Sequence, residues 1–213
     1  MTVNLQVLNE INKEISFYKK SKLLIVTKNQ SCEDIAVLLE SGYRHFGENR
    51  VQEATLKYSL LRQKYKNFHL DLIGPLQTNK VKQALICFDR IQTLDRKKLI
   101  DEILKTQKKN KENLRTQTFF IQVNIGNENQ KFGIHPDDLE TLYNYASNLG
   151  IKIDGLMCIP PSNQDPSKFF KEMNQIRNYL NKNLYLSMGM SSDYLIALKH
   201  DSDLIRIGSK IFN

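Results

Sequence analysis

Short apolar runs alternate along the chain with longer segments whose apolar residues recur at helical spacing. Apolar runs of about 4–8 residues bounded by turn-forming residues predict buried β-strands, whereas an apolar residue every three or four positions predicts a helix. The pattern predicts eight strands, at 23–28, 44–47, 69–74, 90–95, 118–125, 151–159, 184–189 and 203–208.

Helical patterns surround these strands. The segment 4–19 predicts an N-terminal helix, and the segments 32–42 and 135–150 predict helices between strands. The last of these begins with Pro136 and ends on Gly150, which are favourable residues for starting and stopping a helix.

Strands that alternate with helices predict an α/β fold, and eight of them predict a single (β/α)8 TIM-type barrel over residues 1–213. No linker-like composition or internal repeat marks a second domain. An open doubly wound sheet is the structural alternative, because it shows the same alternation. In a barrel, the active site lies where the strands end.

The last two predicted strands end in loops rich in glycine and serine. Loops after the seventh and eighth strands commonly bind phosphate through backbone N–H groups and a helix N-terminus. Gly189 and Gly208 allow close backbone approach. Hydroxyl donors come from Ser187, Ser191, Ser192 and Ser209. Each serine alone could equally cap a helix, but the pair of loops predicts a phosphate site.

Two cationic residues face this predicted site. Arg206 lies inside an apolar strand, two residues before Gly208, and is therefore expected to point into the barrel. A buried guanidinium needs an acceptor, and a salt bridge to Asp193 or Glu48 is the alternative. Lys28 ends the first strand and by itself would be a solvated lysine. Opposite a phosphate site, its amine suits a Schiff base with a phosphorylated carbonyl compound or with pyridoxal 5'-phosphate (PLP).

Composition excludes several classes of protein. The chain is 40% hydrophobic and 25% charged, which is typical of a globular protein. No apolar run reaches the ~18 residues of a membrane helix and no signal pattern is present, so we expect a soluble, cytoplasmic protein without membrane contact. The scattered Cys32, Cys87 and Cys158 predict buried free thiols rather than disulfides, and no metal site is predicted.

The net charge of +8 favours anionic partners. The basic runs at 96–98 and 105–111 come without any nucleic-acid-binding motif. We therefore expect an anionic small molecule as the ligand, and no nucleic acid.

Seven motifs in chain order resemble one known family. They are "VTK", "FGENRVQEA", "IGPLQTNK", "VNIGNENQKFG", "GLMCIP", "LSMGMSSD" and "RIGSKIF". The chain resembles the pyridoxal phosphate homeostasis proteins (the YggS/PROSC family), which are related to the N-terminal barrel of alanine racemase. The resemblance extends from about residue 5 to Phe212. It implies a fold type III PLP-binding barrel.

The resemblance also implies a set of cofactor-binding residues. Lys28 would hold PLP as an internal aldimine. The others are Asn49 near the phenolic oxygen, Arg206 at the pyridine nitrogen, and Ser191, Gly208 and Ser209 at the phosphate with Ser187 close by.

The implied function is PLP (vitamin B6) homeostasis without robust catalysis. The expected partners are PLP, related B6 vitamers and PLP-dependent apo-enzymes, and the expected state is a monomer. An arginine at the pyridine nitrogen leaves that nitrogen unprotonated and the ring a weak electron sink. A low-activity amino-acid racemase is the alternative; it needs a second acid/base, and none of the nine tyrosines is a convincing candidate.

Two positions depart from the family pattern, and two lysines raise the question of a second site. Asp71 stands where the family often has histidine, and Thr27 replaces a serine. Both changes are expected to be neutral for PLP binding. Lys80 and Lys131 follow the third and fifth strands, where they are either solvated or part of a second PLP or phosphate site.

Overall fold

A computed structural model describes residues 3–18, 20–110 and 113–212. Within these ranges eight parallel strands form one closed barrel in chain order. The strands are β1 (Lys22–Val26), β2 (His45–Glu48), β3 (His69–Leu72), β4 (Arg90–Leu94), β5 (Thr118–Val123), β6 (Ile153–Cys158), β7 (Tyr185–Ser187) and β8 (Leu204–Ile207).

One helix precedes the barrel and one follows each of the first seven strands. The helices are α1 (Leu5–Ser16), α2 (Cys32–Glu40), α3 (Val51–Lys64), α4 (Val81–Cys87), α5 (Lys97–Lys109), α6 (Pro136–Asn148), α7 (Pro166–Leu180) and α8 (Tyr194–Lys199). A short 3-10 turn, Thr78–Lys80, leads into α4.

The pairing of the first and last strands confirms the predicted barrel. Strand β1 pairs with β2 through Ile25 and Phe46 and with β8 through Leu24 and Arg206, so the sheet has no free edge there. This closure excludes the open doubly wound sheet. All eight predicted strands are present, although β7 has only three residues. The predicted N-terminal helix is confirmed as α1, and Lys19 lies outside the described residues.

Strand side chains alternate between two buried layers. Ile25, Phe46 and Ile205 belong to the apolar layer that the helices cover. Leu24 and Arg206 each lie one position away along their strands, so they face the barrel interior, where both are buried. The alternation therefore buries apolar side chains on the outer face of the barrel, under the helices, and directs selected polar side chains into the barrel interior.

The three cysteines are free, as predicted, but Cys32 is only half-buried. Cys87 and Cys158 are buried, and burial raises their thiol pKa values to about 11 and about 12, respectively. Among the described residues, no helix is both long enough and apolar enough to cross a membrane.

Candidate functional site at the carboxyl ends of the strands

Lys28 lies in the turn that follows β1. The predicted strand 23–28 extended too far, because β1 ends at Val26 and a tight turn follows. The amide of Gln30 donates to the carbonyl of Thr27 at 3.1 Å, and Asn29 takes a left-handed conformation with φ 61°. The turn leaves the Lys28 side chain exposed at the barrel mouth rather than buried in the strand.

Arg206 is buried inside the barrel, with 3% of its surface exposed. Its Nη1 donates to Ser187 Oγ at 2.9 Å and its Nη2 donates to the carbonyl of Cys158 at 2.8 Å. Among the described residues it has no carboxylate partner, so the alternative of a salt bridge to Asp193 or Glu48 is wrong. Burial lowers the pKa of this guanidinium. A buried cation held only by neutral acceptors is costly unless a further acceptor completes its hydrogen bonding.

Two glycines bring the loops after β7 and β8 close to neighbouring backbone. Gly189 has φ 93°, and a Cβ there would lie 2.5 Å from the Cβ of Ala197. A Cβ at Gly208 would lie 2.9 Å from the carbonyl oxygen of Val26, the last residue of β1. Only glycine fits either position without rearrangement. The second contact brings the loop after β8 against the end of the strand that leads to Lys28.

The serines predicted for phosphate differ in their surroundings. Ser187 is fully buried and supports Arg206. Ser191 is half-buried in a turn that Asp193 closes by accepting from the Met190 amide at 2.6 Å. The hydroxyl of Ser191 does not cap α8, since the cap residue is Asp193 and it makes no side-chain cap bond. Ser209 is exposed directly after Gly208.

Asn49 follows β2 and is half-buried at the same mouth. Its side-chain Oδ1 is buried without a hydrogen-bond partner. A Cβ at Gly74 would lie 2.1 Å from the Asn49 carbonyl oxygen, so the ends of β2 and β3 touch through their backbones. The Asn49 side chain thus has a buried acceptor, Oδ1, that no described residue uses.

A buried ion pair that the sequence analysis missed lies beneath the Lys28 turn. Lys57 Nζ contacts Glu48 Oε1 at 2.6 Å and Glu53 Oε1 at 2.9 Å. It also donates to the carbonyl of Thr27 at 2.8 Å and to that of Gln30 at 3.3 Å. These contacts hold both ends of the turn that carries Lys28. The i,i+4 spacing of Glu53 and Lys57 on α3 was the one signal available in the sequence.

Two hydroxyl groups also belong to the polar network around Glu48, although Glu48 Oε2 is buried without a hydrogen-bond partner. Thr27 Oγ1 donates to Glu48 Oε1 at 2.8 Å and lies 2.8 Å from the Tyr58 hydroxyl. Burial raises the pKa of the Glu48 carboxyl, although the hydrogen bonds from Lys57 and Thr27 act in the opposite direction. Thr27 thus supplies a hydroxyl group to this network.

The two lysines considered for a second phosphate site differ from each other. Lys131 pairs with Glu128 and donates to the carbonyl of Pro160 at 3.1 Å. Lys80 is half-buried and lines a cavity of about 500 Å³ that Asn49 also lines.

Comparison with known proteins first shows to which class of barrel the chain belongs. A family model described as "Alanine racemase, N-terminal domain" matches residues 4–213. The alanine racemase of Clostridium difficile has the same fold, with a TM-score of 0.71 and 12% identity over 99% of this chain and 57% of that chain. The fold is therefore the racemase-type barrel.

Curated relatives define the family within that class. Pyridoxal phosphate homeostasis proteins of Aquifex aeolicus and Pasteurella multocida are 38% and 37% identical over 90% of this chain, covering 86% and 85% of their own lengths. The solved structure of PipY from Synechococcus elongatus "with PLP bound" has a TM-score of 0.82 at 28% identity, covering 95% of this chain and 100% of that one. The chain belongs to the pyridoxal phosphate homeostasis protein family.

Proposed function

We propose that this protein binds PLP at the carboxyl ends of its strands and acts in intracellular PLP homeostasis. The observation that carries the proposal is Arg206, a buried guanidinium whose two protein acceptors, Ser187 Oγ and the Cys158 carbonyl, are both neutral. Its other N–H groups donate to no acceptor among the described residues, and the unprotonated nitrogen of a pyridine ring is a suitable acceptor. The PLP-bound PipY structure supports this choice of ligand.

The remaining residues of the mouth fit the other groups of PLP. The exposed Lys28 amine is the proposed attachment point for the aldehyde. Asn49 Oδ1 is a buried acceptor without a partner, to which a phenolic hydroxyl could donate. The close backbone approach at Gly208, together with the hydroxyls of Ser191 and Ser209, suits the phosphate.

The choice of arginine bears on what the site does with PLP. When bound, PLP supplies an aldehyde and an electron-withdrawing ring. Arg206 would donate a hydrogen bond to the ring nitrogen and would not protonate it, because a guanidinium does not release its proton at physiological pH. An arginine at this position would therefore suit a site that holds PLP rather than one that uses it as a strong electron sink.

The rival function, amino-acid racemisation, lacks a supporting observation. Racemisation needs acid/base groups on both faces of the substrate. The likeness to alanine racemase is at 12% identity and carries the fold alone. If the α-hydrogen of alanine exchanged with deuterium in the presence of the PLP-loaded protein, racemase chemistry would have to be reinstated.

We further infer that the protein is a cytoplasmic monomer that passes PLP to PLP-dependent apo-enzymes. The exposure of Lys28 supports transfer, because an acceptor or solvent can reach its amine. Mixing the PLP-loaded protein with an apo-enzyme, and following recovery of that enzyme's activity against a free-PLP control, tests this proposal. Light scattering during the same preparation tests the monomer.

An absorption spectrum tests PLP binding and attachment together. The purified wild-type protein mixed with PLP should absorb in the visible region, and borohydride should remove that band while fixing the label to the protein. Lys28→Ala should lose the band and the fixed label. Lys80→Ala, which alters a half-buried lysine of the same mouth, should retain both. An unchanged spectrum in Lys28→Ala would exclude the attachment point but not PLP binding, which equilibrium dialysis measures separately.

A further inference from the structure

The amino ends of the strands carry a second cluster of ionisable side chains, at the opposite end of the barrel from Lys28. His45, His69 and Arg90 are the first residues of β2, β3 and β4. Asp71 lies two residues into β3 and is fully buried. The proposed PLP site uses none of these residues.

One oxygen of the Asp71 carboxylate accepts several hydrogen bonds, and the other has no hydrogen-bond partner. Its Oδ2 accepts from Arg90 Nη2 at 2.7 Å and from Gln92. Its Oδ1 has no hydrogen-bond partner, although His69 Nε2 lies 2.8 Å away, and that nitrogen also lacks a hydrogen bond. His45 Nε2 lies 3.2 Å from Oδ2. Two imidazole nitrogens and one carboxylate oxygen therefore converge within 4.8 Å of one another. His45 Nε2 also contacts Asp71 Oδ2 and, at 3.1 Å, Arg90 Nη2, so it would exchange these hydrogen bonds for the ion.

We infer that His45, His69 and Asp71 bind one divalent transition-metal ion, with Zn²⁺ as the best match. Zinc takes histidine nitrogen and carboxylate oxygen at about 2.0–2.2 Å, so two ligand atoms of one tetrahedral ion lie roughly 3.4 Å apart. His69 Nε2 and Asp71 Oδ1 are 2.8 Å apart, so the His69 ring, which is 42% exposed, would move outward by roughly half an ångström to admit the ion. Metal coordination would satisfy both atoms at once.

A cavity at the amino end of the barrel lies beside both histidines and can supply a fourth ligand. His45 and His69 line this cavity of about 630 Å³, together with Lys20, Lys22 and Arg90. Three protein ligands with an open fourth position are the arrangement of zinc sites that bind an exchangeable ligand. Asp89, Asp154 and Asp203 line the same cavity, so its charge does not favour an anion over water as that ligand.

Arg90 tunes the strength of this site. It binds Oδ2 of Asp71, the oxygen that the ion would not use, and so fixes the orientation of the carboxylate. Its positive charge also opposes the ion, so we expect a dissociation constant in the micromolar range rather than the far tighter binding of closed structural sites. Burial alone would raise the pKa of the Asp71 carboxyl, but the contacts from His45, His69 and Arg90 outweigh burial and hold that pKa well below its usual range.

Titration with Zn²⁺ and Co²⁺ tests the site in the PLP-loaded, full-length protein. Calorimetry should give one Zn²⁺ per chain, and Co²⁺ should give the intense visible bands of four-coordinate cobalt. His69→Ala and His45→Ala should each weaken Zn²⁺ binding at least about tenfold, the lower bound for losing a ligand. His135→Asn should change nothing, because it alters an exposed histidine at the start of α6 and keeps an acceptor for the helix cap.

Two results would overturn the inference. One is the absence of saturable Zn²⁺ binding by wild type, and the other is equal affinity in wild type and in both histidine variants. His69 is 42% exposed, so His69→Ala should fold normally, and its melting curve in chelator provides the check. Zn²⁺ should raise the melting temperature of wild type but not of His69→Ala. The PLP absorption band should be the same in all these variants, which separates this inference from the proposed function.

Discussion

The ion pair beneath the Lys28 turn gives the sharpest mutational prediction. Lys57→Met removes the cation that contacts Glu48 and the donor that holds the carbonyls of Thr27 and Gln30. Glu48 is fully buried and the Lys57 side chain is 11% exposed, so water cannot replace the lost contacts. Removing one partner of such a buried pair costs about 3–5 kcal/mol.

Protonation of Glu48 limits this cost and makes it depend on pH. Burial already raises the pKa of Glu48 above its ordinary 4.5, and removal of Lys57 raises it further. A carboxyl whose pKa is raised by folding destabilises the folded state as pH rises above the unfolded pKa. The variant should therefore lose about 3 kcal/mol at about pH 8 and clearly less at about pH 5.5.

Urea unfolding of the PLP-free protein measures the loss. The double variant Glu48→Gln/Lys57→Met should recover most of the stability, because it leaves no unpaired buried charge. Lys64→Met is the matched control on the same helix, since that lysine is 71% exposed and its nearest carboxylate oxygen, on Glu40, is 3.7 Å away. A loss below about 1 kcal/mol for Lys57→Met, or no recovery in the double variant, would refute the reasoning. With PLP added, Lys57→Met should also lose the cofactor faster, because the Lys28 turn is no longer held at both ends.

Three further predictions concern other parts of the barrel. Gly189→Ala should cost about 2–4 kcal/mol of unfolding free energy in urea, because the added Cβ meets the Ala197 side chain at a residue with positive φ. The control Gly150→Ala also has a positive φ but lies in open space, so it should cost less, and equal losses would contradict the packing argument. The folded-state pKa of Asp71 is lowered, so below about pH 3.8 the unfolding free energy of wild type should fall by up to about 1.4 kcal/mol per pH unit as Asp71 protonates in the unfolded chain. Asp71→Asn should lack this part of the slope, and parallel pH profiles would contradict the assignment. Arg206→Lys should weaken PLP binding about tenfold in equilibrium dialysis, because one ammonium group cannot contact Ser187 and the Cys158 carbonyl and also reach the ring nitrogen. An unchanged affinity would argue against Arg206 as the partner of that nitrogen.

Periodicity in the sequence predicted the barrel because each strand buries both faces. The apolar runs are short, lie between helical segments and total eight, which is enough to close a sheet. Their ends were less predictable. Val26 ends β1 because the chain turns at Asn29, and Thr27 is buried as fully as a strand residue, so the apolar pattern gives no warning.

The inward direction of Arg206 was predictable, but its partners were not. The period of two fixes which face a strand residue takes, and the Arg206 contacts confirm the interior position. The acceptors proved to be Ser187 and the backbone of Cys158, on β7 and β6. Every residue has a backbone carbonyl, so the sequence cannot show which one accepts from Arg206. Sequence analysis therefore named only carboxylate side chains as candidate partners of Arg206.

The cluster at the amino ends gave no sequence signal at all. His45, His69 and Arg90 begin three different strands, and their spacing matches no metal-binding motif. They meet because the closed parallel barrel aligns strand starts on one side. The departure from histidine at Asp71 was expected to be neutral for PLP binding. The structure places this carboxylate at the centre of a separate network, and its effect on PLP binding stays a prediction.

The most direct test of the account is to map the modified residue after borohydride treatment of the PLP-loaded protein. Peptide mass spectrometry should find a reduced pyridoxyl phosphate group on Lys28, in about one copy per chain, and on no other lysine in comparable amount. A label on Lys80, on Lys131 or spread over surface lysines, or no label on a protein that nevertheless binds PLP, would contradict the proposal that Lys28 is the attachment point.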